Sequence, residues 1–300
     1  MPVIETRSLT FRHGPHLAVA DLDLAVPEGA VYGFLGPNGA GKTTTIRMLL
    51  GLLRPETGTL RVLGQDLASD PLPVLGRLGS MVEHPSLYPH LTAEENLRLT
   101  CRMRRLDAAA AGRALARVGL ESARHQLVRT FSLGMRQRLG LALAWLGEPE
   151  LLILDEPTNG LDPAGMRDIR GMLRDLPRTQ GTTVFVSSHL LGEVEQVASH
   201  VGVLHQGRLR FQGTLGELKA GTAGILRVGT GAPERAARIL AEAGFPTTLD
   251  DQGRLRMPDP GVAEAARLNS LLVTGGVEVH LLAVEDSSLE HIFLGLTEPA

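Results

Sequence analysis

Gly36-Pro37-Asn38-Gly39-Ala40-Gly41-Lys42-Thr43 runs glycine, four residues, Gly-Lys-Thr, the spacing of a loop that wraps phosphate groups. Ala30 to Leu35 before it reads as a short buried strand. Thr44 to Leu53 after it reads as a helix with apolar Ile46, Leu49, Leu50 and Leu53. In that order, strand, glycine loop and helix turn consecutive backbone N–H groups and the positive helix end toward an anion. Lys42 is then placed to reach the β/γ-phosphates, and the Thr43 hydroxyl to meet Mg²⁺. A plain glycine turn between strand and helix needs neither the lysine nor the hydroxyl. The stretch therefore reads as a nucleoside triphosphate site.

The 300 residues suffice for a large core, with one main domain and a smaller one. With 43% hydrophobic residues and a formal net charge of -3, the composition is that of a globular chain, and no nucleic-acid partner is expected from its charge. The single cysteine, Cys101, excludes an internal disulfide and a Cys-rich zinc site, and fits a reducing compartment. The longest apolar run, Leu139 to Gly147, is roughly half of the eighteen or so residues a membrane span needs. The Met1 end lacks the basic-then-apolar pattern of a signal sequence. If the protein acts at a membrane, another chain must cross it.

Working outward, Val3 to Leu9 and Leu22 to Val26 alternate apolar with polar, as antiparallel strands do, and Pro27-Glu28-Gly29 turns into the loop unit. Between them, His13 and Phe11 are candidates to stack on an adenine, or are ordinary strand-end residues. Arg54 to Gly58 is a turn and Thr59 to Leu63 a strand. Leu78 to Val82 leads to Glu83, a strand-end carboxylate that either ligates Mg²⁺ or is solvated. Thr92-Ala93-Glu94-Glu95 is a capping box opening a helix past Leu97 and Leu99, and Arg102 to Val118 is helical in composition. A helical insertion over about residues 84–147 follows, whose arginines read as a solvated face rather than a nucleic-acid patch. Near its end Ser132 is a helix N-cap and Gly134 leaves the backbone open, a helix start suited to an anion or to simple capping.

Leu151-Leu152-Ile153-Leu154-Asp155-Glu156 is four apolar residues and two acids, a buried parallel strand ending at the ligand-bearing edge of an open sheet. There Asp155 is placed to hold Mg²⁺ and Glu156 to act as general base on the attacking water. Thr182 to Val186 is the next strand and ends at Ser187-Ser188-His189, which puts His189 where it can bond the γ-phosphate or serve structure alone. Past Gly213, alternating strands and helices suggest a small α+β domain over residues 222–300, with Ser287 and Glu290 capping a last helix that bears Leu289, Ile292, Phe293 and Leu296. The main domain spans residues 1–218.

Together these segments resemble the ATP-binding subunit of an ABC transporter over about residues 3 to 215. The family's motifs occur in order: Walker A at Gly36 to Thr43, the Q-loop position at Glu83, the signature at Ser132 to Gln137, Walker B at Leu151 to Asp155, the catalytic Glu156, the D-loop at Gly160 to Asp162 and the H-loop His189. The wording Gly33 to Thr45 and Phe131 to Met135 is similar to that of drug- and antibiotic-resistance exporters, as is the tail Ser288 to Leu294. Glu83 in place of the usual glutamine resembles the bacitracin and lantibiotic immunity branch. A carboxylate there binds Mg²⁺ more strongly than an amide but repels the γ-phosphate and Glu156. The signature departs from Leu-Ser-Gly-Gly-Gln yet keeps Ser132 and Gly134, and His13 stands where the family stacks an aromatic on adenine, which implies loose base selectivity.

The resemblance implies an α/β fold, a P-loop NTPase (ABC ATPase) with an antiparallel β-subdomain, a helical insertion and the small C-terminal α+β domain. It implies an Mg²⁺-dependent ATPase that contacts ATP through His13, Gly36, Pro37, Asn38, Gly39, Ala40, Gly41, Lys42, Thr43 and Thr44. Two copies would pair head to tail, with Ser132 and Gly134 of one completing the ATP site of the other, and Asp162 of the D-loop would be a further nucleotide contact. The pair would drive an integral-membrane permease through the segment from Glu83 to about Leu99, from a cytoplasmic position on the inner face of the cell membrane, exporting a drug, antibiotic or peptide. The alternative is a non-transport ABC ATPase or a regulatory ATP-binding module. Such relatives usually carry two cassettes in one chain or long coiled coils, and neither is present.

Overall fold

The structure is a computed structural model that describes residues 2–67, 69, 71–83, 85–220, 224–285 and 292–293. The chain divides into two compact units, Met1–Leu215 and Gly216–Ala300.

The first unit is built on a six-stranded sheet in the order Arg208–Thr214, His200–His205, Val31–Leu35, Thr183–Ser188, Leu151–Asp155, Leu78–Met81. All neighbours pair in parallel except the antiparallel edge strand Arg208–Thr214. Every residue of Val31–Leu35, Leu151–Asp155 and Thr183–Ser188 is buried. That explains why these strands read as continuous apolar runs: helices cover both faces of a parallel sheet. A second, antiparallel sheet forms around the long strand Pro2–His13, which pairs with His16–Leu22, Ala25–Pro27 and Thr57–Val62. Its first hairpin differs from expectation. The chain turns at Gly14 and Pro15, so His13 faces His16 in the register and a strand occupies 16–22.

The helical insertion consists of Ala93–Arg104, Ala109–Arg117 and Leu133–Trp145. The capping box is complete: Thr92 Oγ1 accepts from the Glu95 N–H at 3.2 Å and Glu95 Oε2 accepts from the Thr92 N–H at 2.7 Å. Composition alone runs helix through 102–118, but the first helix stops at Arg105, which adopts φ 55° and bonds back to Arg102 O. Asp107 then accepts from the Ala109 N–H at 3.2 Å and starts the next helix. Glu94 is buried against Arg124, whose two hydrogen bonds at 2.7 and 3.1 Å hold its carboxyl below the usual range. A short helix, Leu72–Arg77, was not expected from the sequence. Among the described residues no helix is long and apolar enough to cross a membrane.

The second unit is a four-stranded antiparallel sheet in the order Thr248–Leu249, Leu255–Pro258, Ile225–Thr230, Val279–Glu285, with helices Pro233–Glu242 and Val262–Thr274. Leu226, Val228, Leu240, Leu255, Leu268 and Leu272 form its core. Ile292 and Phe293 are helical, whereas Ser287, Leu289, Glu290 and Leu296 of the expected last helix lie outside the described residues.

Candidate nucleotide and hydrolysis site

Sheet register assembles the site. Leu35 pairs with Ser188 and Asp155 with Ser187, so three neighbouring strands end side by side. The glycine loop leaves the first, Glu156 the second and His189 the third, all at the carboxyl edge where open parallel sheets bind ligands.

The helix after the loop begins at Lys42, two residues earlier than expected, and ends at Leu49. Gly41 caps it with φ 105°, and a Cβ at this position would lie 2.4 Å from Ala18 O, so both the backbone angle and the neighbouring hairpin strand require glycine. Thr45 N–H makes the first helical bond, to Gly41 O at 2.9 Å, which leaves the N–H groups of Lys42, Thr43 and Thr44 outside the helix ladder. These are donors for an anion. Lys42 is almost fully buried and donates to Gly36 O at 2.7 Å and Pro37 O at 3.3 Å. Its ammonium is thereby pinned across the loop mouth.

Asp155 has its two carboxylate oxygens fixed separately. Thr43 Oγ1 donates to Oδ2 at 2.9 Å and Ser187 Oγ donates to Oδ1 at 2.5 Å. Glu156 adopts φ 49°, a left-handed conformation uncommon outside glycine. Its carboxylate lies between two cationic or donor groups, with Oε1 3.5 Å from Lys42 Nζ and Oε2 2.7 Å from His189 Nδ1. A carboxylate only accepts, so Nδ1 carries the proton in that bond. The following residues are tied down as well: Gln137 Nε2 donates to Pro157 O at 3.0 Å, and Thr158 Oγ1 donates to Glu193 Oε2 at 2.5 Å.

A cavity of about 330 Å³ opens above the loop, lined by residues 37–44, by Glu156, and by His13, His16 and Ala18 from the hairpin. His13 Nε2 lies 3.4 Å from Thr44 Oγ1. Of the two adenine candidates, His13 lines the cavity, while Phe11 packs edge-on against it at 4.9 Å between ring centres. His16 escaped the sequence reading. The Gly14-Pro15 turn was the available signal, because a two-residue turn brings positions 13 and 16 together.

Other expected site residues lie elsewhere. Glu83 is not among the residues that line the cavity; its side chain is 58% exposed and bonded by the Arg47 guanidinium. Ser132 is exposed, and its hydroxyl accepts from the Met135 N–H at 3.2 Å as the cap of its helix. A Cβ at Gly134 would meet Leu161 Cδ2 at 3.3 Å, and Asp162 caps the helix Pro163–Gln180 by accepting from the Gly165 N–H at 3.0 Å. None of the three lines the cavity.

Among the described residues no group of three or more His, Cys, Asp or Glu is placed to hold a metal by itself. Thr43 and Asp155 are oxygen donors side by side, the set a hard cation takes when phosphates and water supply the remaining positions.

Bacitracin transport ATP-binding protein BcrA of Bacillus licheniformis is 40% identical to this chain over 298 residues, 98% of this chain and 97% of that protein. The chain belongs to the ATP-binding subunits of ABC transporters. The ABC transporter family profile matches residues 19–159 of the subunit. Daunorubicin/doxorubicin resistance ATP-binding protein DrrA of Streptomyces peucetius is 39% identical over 310 residues, covering 98% of the subunit and 92% of that protein. A solved ATP-binding subunit of an ABC transporter superposes with a TM-score of 0.67 at 30% identity, over 73% of the subunit and 92% of that chain. The subunit is thus an ABC ATPase whose hydrolysis of ATP is coupled to transport, with relatives among export ATPases.

Proposed function

We propose that the subunit powers export of a drug, antibiotic or peptide through a separate membrane permease, working on the inner face of the cell membrane as a pair of identical chains. The observation that carries this reading is the one-sided cavity: Lys42, Thr43 and Glu156 line it, while exposed Ser132 and half-buried Gly134 lie outside it and are free to close the cavity of a second copy. The relatives named for bacitracin and for daunorubicin/doxorubicin support the substrate class.

In this reading the N–H groups of the loop and Lys42 bind the phosphates, His13 lies along the base and Thr43 with Asp155 holds Mg²⁺. Bound Mg²⁺ neutralises charge on the phosphate oxygens. Glu156 takes a proton from the attacking water, and His189 orients the carboxylate and stands ready for the γ-phosphate. ATP bridging two copies and its loss on hydrolysis give closed and open states, and differential affinity for them moves the permease.

Mixing tests the pairing. At ATP near the wild-type KM, Lys42→Ala and Ser132→Arg chains are each expected to show little ATPase, but combined in equal amounts they should regain about a quarter of wild-type ATPase, because half of the dimers then contain one intact site of two. No recovery would overturn the shared site. Tagged subunit solubilised from membranes should co-purify with a polytopic membrane protein, and recovery without one would overturn the transport reading.

For Glu83 the proposal is coupling to the permease, with Arg47 as its resting partner. An exposed ion pair contributes about 0–1 kcal/mol, so Glu83→Ala should leave melting temperature and ATP affinity near wild type. It should change permease-stimulated ATPase by about two-fold or more, a difference of about 0.4 kcal/mol or more in the coupled step. Unchanged ATPase and export would return Glu83 to an ordinary surface pair.

A further inference from the structure

Ser187 has no place in the chemistry described so far, yet its hydroxyl joins the two carboxylates on which hydrolysis depends. It sits at the end of strand Thr183–Ser188, directly opposite Asp155 in the parallel register, with no exposed surface. Its Oγ donates to Asp155 Oδ1 at 2.5 Å and accepts from the Glu156 N–H at 3.0 Å. The roles follow from chemistry, since a carboxylate accepts only and a backbone N–H donates only. A hydroxyl is the smallest group that does both.

We propose that Ser187 is a positioning residue for ATP hydrolysis: one buried hydroxyl sets the plane of the Asp155 carboxylate and anchors the left-handed backbone that aims Glu156. With Oδ1 occupied by Ser187, Asp155 keeps Oδ2 for Thr43. With its N–H held by Ser187 and its carboxylate held by His189 two residues further on, Glu156 is fixed at both ends by one short segment. The φ of 49° at Glu156 costs a non-glycine residue energy, and it persists where surrounding bonds over-determine it. Ser187 does not line the nucleotide cavity, so it acts through the two acids and not on ATP. Two paired groups in a buried site lose their partner together when the hydroxyl is removed.

The inference rests on the reading of Asp155 as metal ligand and Glu156 as base, so Glu156→Gln is measured beside it. Full-length Ser187→Ala should lower kcat by about ten- to a hundred-fold while KM for ATP stays within about three-fold of wild type. Titration of a fluorescent ATP analogue, with and without Mg²⁺, should show a smaller Mg²⁺-dependent gain in affinity for Ser187→Ala than for wild type. Ser187→Cys keeps the volume nearly constant but is a weak donor, and should fall between Ser and Ala in kcat with a melting temperature near wild type. If Ser187→Ala does not fold, the cysteine variant carries the same expectation. Wild-type kcat and wild-type Mg²⁺ dependence in whichever variant folds, with Glu156→Gln inactive, would overturn the role of Ser187 alone. Turnover surviving in Glu156→Gln would overturn the reading beneath it.

Discussion

Glu156→Gln should slow ATP turnover by on the order of 10²–10⁴ while ATP binding is kept or improved. The amide preserves the shape of the side chain and can still meet His189, which lies 2.7 Å from Oε2. It cannot take a proton from water at neutral pH. The gain in binding has a separate origin. Glu156 Oε1 is 3.5 Å from Lys42 Nζ, so the carboxylate stands beside the ammonium that ATP is to use. Removing that negative charge lifts both the competition for Lys42 and the repulsion of the γ-phosphate. Single-turnover hydrolysis and equilibrium titration of ATP check the two halves independently. Near wild-type turnover would remove the base assignment, and an affinity loss of about ten-fold or more would mean that the ion pair, not the loop, organises the phosphate site.

The parts of this fold that depend on short stretches were legible in the sequence. The glycine loop, the apolar run ending in Asp155 and Glu156, and the capping box at Thr92 each carry their signal within about a dozen residues. What remained hidden depends on pairing across distance. Ser187 reads as a strand-end serine until the register sets it opposite Asp155. Gln137 reads as part of a motif offered to phosphate, yet it is buried and donates to Pro157 O within its own chain. His16 became a wall of the cavity only through the hairpin that turns at 14–15. Local propensity misled in two places. The helix Leu72–Arg77 contains Pro73 and Gly76, which argue against a helix interior, but the proline falls in its first turn where no N–H is needed. The break at Arg105 interrupts a stretch whose composition favours helix throughout, because a left-handed residue and the Asp107 turn outweigh propensity.

Lys42→Ala should cost the subunit about ten- to a hundred-fold in ATP affinity, since a charge-assisted hydrogen bond to phosphate contributes roughly 1.5–3 kcal/mol. The side chain is buried and already oriented: Gly36 O and Pro37 O take two of its N–H directions, leaving the third toward the cavity and Glu156. Little rotamer freedom is therefore lost when ATP arrives, and the full contact is felt as affinity. Alanine also leaves Glu156 without its countercharge, so an anionic site becomes more anionic and the loss should sit at the upper end of that range. Lys42→Arg should not restore binding. A guanidinium fork is planar and longer than an ammonium, and it does not fit between the two carbonyls of one tight loop. Calorimetric titration of both variants with ATP checks this, alongside melting curves to show that the loop still folds. An affinity equal to wild type in Lys42→Ala would place phosphate binding on the N–H groups of residues 42–44 and the helix end alone.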